Sequence, residues 1–253
     1  MTLQRGVAWI IGGGSGIGAA VARLLAERGW IVAISGRRQG KLAEVAGTHP
    51  AIHAYGLDVT DSGAIASTID TIVADLGRVD LFIFSVAANQ PSATGHYSVE
   101  DFTAVWEANY LGFVRVANRL IGQMRRQGGG HLAVVTSLAG YFGVPRAAAY
   151  SSTKAALINL LETMRVELAP SRICVRMIAP GYVKSELTDR NDFPMPFLME
   201  TDDAARRIVD GLTRSDRFEI AFPRRMVWLM KTVRWLPYPV FFRLMARLLP
   251  KRS

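Results

Sequence analysis

The run VAWIIGGGSGIGAAVARLLAERG, residues 7–29, limits what this chain can fold into more than any other stretch. Five apolar residues, Val7 to Ile11, suit a strand buried on both faces. Glycines follow at once, and apolar residues then recur at helical spacing. A buried strand that turns sharply into a helix opens a βα unit of a parallel sheet. Gly12, Gly16 and Gly18 follow a G-x-x-x-G-x-G spacing, with Gly14, Ser15 and Ile17 in the same loop. Glycines allow a tight turn and close approach of a ligand, and the helix N-terminus offers free N–H groups to an anion. A dinucleotide pyrophosphate fits that chemistry; the alternative is a tight turn that binds nothing.

The same alternation continues down the chain. Strands are expected at 7–11, 30–34, 52–57, 80–84, 131–136 and 173–178, and helices at 16–29, 38–46, 62–76, 99–127, 150–169 and 202–213. Near-continuous apolar strands alternating with helices predict an α/β fold: one doubly wound domain with a mostly parallel sheet. Ser98 with Asp101 three residues on reads as a helix start, and the glycines at 128–130 as a helix end. The 253 residues suit one such domain, with 1–222 as its body and 223–253 as a helical extension. The least regular stretch is 182–200, where Phe193, Met195, Phe197 and Leu198 suit either a lid over a bulky apolar ligand or a loop packed on its own domain.

Three features carry chemistry. The second strand ends in Ser35 and Gly36, then Arg37 and Arg38, where a carboxylate would bind a ribose hydroxyl. Guanidinium groups instead favour a 2′-phosphate, so NADP(H) is expected in preference to NAD(H). Tyr150 and Lys154 are four apart and share a helix face. An ammonium near a phenol is expected to lower its pKa and make it a proton relay to a carbonyl or alcohol oxygen. Ser137, thirteen residues earlier, ends the apolar run HLAVVTS on the edge where α/β ligands bind.

These motifs, in this order, make the chain similar to the short-chain dehydrogenase/reductase family over about residues 5–222. The family's glycine loop is matched by Gly12, Gly16 and Gly18, its aspartate near the adenine by Asp58 in LDVTD, and its helix asparagine by Asn109 in WEANYLG. Its serine, tyrosine and lysine are matched by Ser137, Tyr150 and Lys154, and its Pro-Gly turn by Pro180, Gly181 and Val183 in APGYVKSEL. The resemblance implies a seven-stranded Rossmann sheet and hydride transfer between NADP(H) and a carbonyl or alcohol. Tyr150 would act as general acid or base, and Ser137 would polarise the substrate oxygen. Lys154 would bind the nicotinamide ribose, Asn109 would hold a water linking Lys154 to solvent, and Val183 would grip the carboxamide. Val59 and Ala87 would lie along the cofactor. A homodimer or homotetramer through helices 99–127 and 150–169 is implied. The chain departs from the family at Ile11, usually Thr, at FSVA (84–87), usually Asn-Asn-Ala-Gly, and at Ser185, usually Thr. A cofactor-sensing or docking protein would need the glycine loop but not the joint presence of Ser137, Tyr150, Lys154 and Asn109.

Charge separates the extension from the rest. Of the +9 formal charge, eight basic residues and no acidic one lie in 223–253, whereas the remainder holds 22 basic against 21 acidic side chains. The basic residues are Arg224, Arg225, Lys231, Arg234, Arg243, Arg247, Lys251 and Arg252, set among Trp, Phe, Leu and Met. That mixture suits lipid better than a nucleic acid backbone, so no nucleic acid is expected. The extension is read either as a segment lying on a membrane surface or as a helix pair capping the pocket or a subunit contact. No export signal is expected ahead of Val7, which places the protein in the cytoplasm, peripheral to the membrane if the extension binds lipid. Cys174, the single cysteine, is expected as a small apolar core residue, and no metal site is expected.

Overall fold

The computed structural model describes residues 3–89, 95, 97–189 and 193–249. Asp192 of the expected lid and Lys251 and Arg252 of the extension lie outside the described residues. Seven strands form one parallel sheet: β1 (Val7–Ile11), β2 (Ile31–Gly36), β3 (Ile52–Gly56), β4 (Leu81–Phe84), β5 (Gly130–Val135), β6 (Ile173–Pro180) and β7 (Glu219–Phe222). Their order is β3-β2-β1-β4-β5-β6-β7, with every neighbouring pair parallel. The order reverses between β1 and β4, which opens a crevice at their carboxyl ends.

Helices cover both faces. On one side lie α1 (Gly16–Glu27), α2 (Gln39–Ala46) and α7 (Thr201–Arg214), and on the other α3 (Ser62–Leu76), α5 (Gly112–Arg126) and α6 (Ala148–Glu167). Apolar periodicity explains each burial. Ile65, Ile69 and Ile72 of α3 and Val116, Leu120 and Met124 of α5 recur every three or four residues, and all are buried. Full burial of each such side chain is worth roughly 1.5–3 kcal/mol. On the α5 side, Trp9, Phe82, Phe84 and Phe113 form a chain of rings 5.1–6.5 Å apart across β1, β4 and the helix.

Two helix starts follow from capping chemistry. Ser98 Oγ accepts from the Asp101 amide at 3.1 Å to open α4 (Val99–Trp106). Asp61 does the same for α3 through Gly63 and Ala64.

Three expectations need correction. The helix expected over 99–127 is interrupted by a π turn at Glu107–Leu111, which separates α4 from α5. Such single-turn insertions gather at functional sites, and this one holds Asn109. The apolar runs pointed to six strands, but β7 is only four residues long and alternates in burial. Cys174 does lie in β6, but it is half-buried among donors rather than part of the apolar core, and Arg165 Nη1 sits 2.9 Å from its sulfur.

The extension is a helix pair, α8 (Arg224–Arg234) and α9 (Tyr238–Ala246). Met226 and Val233 are the buried side chains of α8, and Met226 belongs to the core cluster on the α5 side. Lys231 also pairs with Glu219 of β7.

Candidate active site at the carboxyl edge of the sheet

The strand ends β1, β4, β5 and β6 deliver their following residues to one edge. After β1, Gly12 donates its N–H to Ser35 O at 2.8 Å and holds φ at +86°. A Cβ there would lie 2.6 Å from Ser85 O, and one on Gly18 would lie 2.2 Å from Gly12 O. Only glycine lets the loop close on itself at both points. Gly14 lies against Lys41 and Leu42 of α2.

At the N-terminus of α1, Ser15 makes no capping bond and the first turn holds no acidic side chain. The amides of Gly16, Ile17 and Gly18 have no intrahelical acceptors and remain available to an anion. The loop therefore fits a pyrophosphate on geometry as well as on spacing.

The two arginines differ. Arg38 donates to Ser15 Oγ and pairs with Glu186, each at 2.8 Å. Arg37 is exposed and forms no hydrogen bond or ion pair with a described residue. Asp58 accepts from the amide and hydroxyl of Thr60 at 2.9 and 2.8 Å. The Thr60 amide lowers its pKa most, burial opposes this, and the Thr60 hydroxyl and the Arg37 charge add to the lowering. Val59 is buried and packs where a Cβ on Gly112 would lie 2.7 Å away. Ala87 is exposed just past β4. At the FSVA departure, Phe84 is fully buried against Phe113, so ring packing steadies this strand end.

Ser137 follows β5 in extended conformation, and its Oγ accepts from the Ala139 amide at 3.1 Å. Its hydroxyl also hydrogen-bonds Tyr150 near the start of α6. Burial raises the Tyr150 pKa, and the Ser137 bond only opposes that rise. Lys154 is fully buried; its Nζ donates to Val135 O at 2.9 Å and Val86 O at 3.3 Å and lies 5.5 Å from the Tyr150 ring centroid. Burial lowers its pKa from 10.5 to about 7. The expected acidification of the phenol by the ammonium is therefore not what this arrangement gives. Lys154 faces the ring and two carbonyls, and burial weakens its own charge.

Asn109 is fully buried in the π turn. Its Oδ1 accepts from Ala88 N at 2.7 Å, and its Nδ2 donates to Ala88 O at 2.9 Å and Thr153 Oγ1 at 3.2 Å. The side chain clamps the segment after β4 to α6. Opposite, Gly181 donates to Phe222 O at 2.7 Å just beyond Pro180. Val183 is buried, and its carbonyl accepts from Thr188 Oγ1 at 2.9 Å and Ser185 Oγ at 3.3 Å. Ser185 Cβ lies 3.5 Å from where a Cβ on Gly16 would be, so the loops after β1 and β6 meet across the crevice.

Two positions escaped the sequence reading. A Cβ on Gly140 would lie 2.8 Å from the Lys154 backbone, so this glycine sets how closely α6 approaches Ser137. Thr153 holds Asn109, but one threonine inside a helix carries no signal of its own.

A family model described as short chain dehydrogenase matches residues 6–193. An uncharacterized oxidoreductase of Myxococcus xanthus is 35% identical over 240 residues, covering 92% of this chain and 94% of that protein. A short chain dehydrogenase from Burkholderia cenocepacia, solved in complex with NADP, superposes with a TM-score of 0.84 at 24% identity over 99% of this chain and 100% of the other. A 3-ketoacyl-(acyl-carrier-protein) reductase from Brucella melitensis, complexed with NADH, gives 0.80 at 23% identity over 87% and 96%. With the matching sheet, glycine loop and crevice, these findings show that the chain belongs to the short-chain dehydrogenase family of NAD(P)-dependent oxidoreductases.

Proposed function

We propose that the protein reduces an apolar ketone or aldehyde to an alcohol with NADPH, and catalyses the reverse oxidation. One observation carries this reading: Tyr150, hydrogen-bonded to Ser137 and with the Lys154 amine 5.5 Å from its ring centroid, stands at the sheet edge where the glycine loop opens. A nicotinamide bound there supplies the hydride. Burial keeps the Tyr150 phenol protonated, so it can give its proton to the carbonyl oxygen. Ser137 directs that oxygen toward the phenol and stabilises the phenolate left behind. Lys154, with a pKa of about 7, exchanges a proton readily near neutrality and can restore the phenol. Asn109 acts as a positioning residue that fixes the loop whose Val86 carbonyl receives Lys154.

The preference for NADPH rests on Arg37, which is exposed and uncommitted beside Asp58, whereas Arg38 is partly neutralised by Glu186. The apolar substrate rests on the segment after the Pro-Gly turn. There Phe193 packs edge-on against Tyr182 at 6.0 Å, and Phe197 and Leu198 keep nearly half their surface open.

The test follows NADPH absorbance with a panel of apolar ketones and aldehydes. Tyr150→Phe should lower turnover by about 10³-fold and leave cofactor binding intact; undiminished turnover would remove the mechanism. A protein that binds NADPH but turns over no carbonyl would favour a cofactor-sensing role. Arg37→Asp should weaken NADPH by about tenfold or more and spare NADH. A parent protein that binds both equally would remove the arginine argument.

A further inference from the structure

We propose that α8 and α9 are an interfacial anchor that seats the substrate side of the molecule on an anionic membrane, so that the substrate enters from the lipid. The docking stands on the surface itself; the entry of substrate rests on the carbonyl-reductase reading above.

Position comes first. β7 is parallel to the other strands, so its carboxyl end, where α8 begins, lies on the same edge as Ser137 and the glycine loop. α8 packs against the Pro-Gly turn, where a Cβ on Gly181 would lie 2.7 Å from Met226 Sδ. α9 packs against the segment after Ser137, with Phe241 and Phe142 rings edge-on at 5.4 Å. The anchor therefore rests on two of the loops that bound the site.

The outward surface is apolar. Of the large apolar side chains exposed among the described residues, eight lie between Trp228 and Leu249. Trp228 is 73% exposed and Trp235 88%, and they are seven residues apart, on one helix face. Tyr238 and Phe242 stack at 5.5 Å, and Phe242 meets Phe241 at 5.4 Å, which makes the aromatic surface continuous on α9. Monomeric proteins seldom leave such patches in water unless something covers them.

Charge then selects the cover. Arg224, Arg225 and Arg234 on α8, Arg243 on α9 and Arg247 just past its end are exposed, and residues 223–253 hold no Asp or Glu. Glu219 of β7 is already paired with Lys231 of α8 and accepts from Tyr141. Exposed arginines beside Trp and Tyr suit the headgroup layer, where rings sit at the interface and each basic residue adds attraction toward anionic lipid. No helix among the described residues is long and apolar enough to cross a membrane, so the pair would lie flat.

Full-length protein is sedimented with phosphatidylcholine vesicles, with and without phosphatidylglycerol, at low and high salt, with size-exclusion chromatography in parallel. The proposal expects binding to the phosphatidylglycerol vesicles, weakened by salt, and at least a tenfold loss of partitioning in Trp228→Ala/Trp235→Ala/Phe242→Ala. These exposed substitutions should leave reduction of a short water-soluble ketone unchanged. Absence of vesicle binding would overturn the proposal, as would binding undiminished in the triple variant. A parent dimer that the triple variant dissociates, with no lipid binding, would assign the surface to a second copy. A second arm supplies a long-chain ketone dissolved in the vesicles. Phosphatidylglycerol should speed its reduction by the parent but not by the variant. Vesicle binding without any ketone reduction would keep the anchor and reject the carbonyl reading; ketone reduction without vesicle binding would do the reverse.

Discussion

Covered polar groups lie at both ends of β5 and β6, and the two ends treat charge in opposite ways. At the carboxyl end, Tyr150 and Lys154 are both moved toward their neutral forms, the phenol upward and the amine down to about 7. At the amino end, burial alone would raise the Cys174 thiol. The neighbouring His131 and the Arg176 charge, with the hydrogen bond from Arg165, outweigh it and bring the pKa down to about 6. The difference is one of partners. Lys154 has two neutral carbonyls, whereas a Cys174 thiolate faces cations. Covered charge persists where opposite charge is built in, and the site proposed to exchange protons is left without it.

The largest expected effect that would sharpen this contrast lies at the amino end. Arg176 is almost wholly buried; its Nη1 donates to Gly211 O and Leu212 O at 3.1 Å and also to Ser215 O, closing the end of α7. Arg176→Leu leaves those carbonyls without a donor and should lower stability by about 3–4 kcal/mol in chemical denaturation. Turnover per folded molecule should stay unchanged. A comparable loss of turnover would mean that the two ends are coupled.

At the carboxyl end, Gly140→Val should act the other way round. A branched side chain there meets the Lys154 backbone, so α6 must shift. Turnover should fall by about 10²-fold, since displacement of a catalytic group by an ångström has that effect. NADPH titration and steady-state rates check it; a variant with parental rates would show that α6 has room to spare.

How much of this was legible in the sequence depends on the range of the interaction. The β1–α1 unit was plain, because strand, glycine turn and helix are local. Tyr150 and Lys154 were plain because four residues on a helix share a face. Arg38 and Glu186 are 148 residues apart, so nothing in the sequence showed that one arginine is paired and the other open. The π turn at Asn109 is set by hydrogen-bond register and left no compositional mark. The partners of Lys154 are backbone carbonyls, which any residue supplies, so the buried amine read as an acidifying charge. β7 was too short for periodicity to register.

A smaller effect isolates Lys154 in the ligand-free protein. Its folded pKa of about 7 lies below the ordinary 10.5. Between those values the unfolded chain holds a proton that the folded chain lacks, so stability should climb as pH rises across the window, by at most about 1.4 kcal/mol per unit. Below pH 7 both states are protonated and the slope from this group vanishes. Lys154→Met should remove the slope, so the stability of variant relative to parent falls as pH rises from 7 toward 10.5. Parallel melting profiles would show that Lys154 keeps its charge despite burial.

The smallest effect belongs to Cys174, and it tests whether cations hold the thiolate there. As the only cysteine, it gives an unambiguous alkylation signal. The rate with iodoacetamide should reach half its plateau near pH 6, well below that of an ordinary thiol. Arg165→Met removes one donor, at 2.9 Å, and leaves His131 and Arg176 in place. The half-rate point should therefore move up only partway, slowing alkylation at pH 6 by about threefold. If it moves all the way to an ordinary thiol value, Arg165 alone sustains the charge. If it does not move, the buried Arg176 carries the contrast between the two ends.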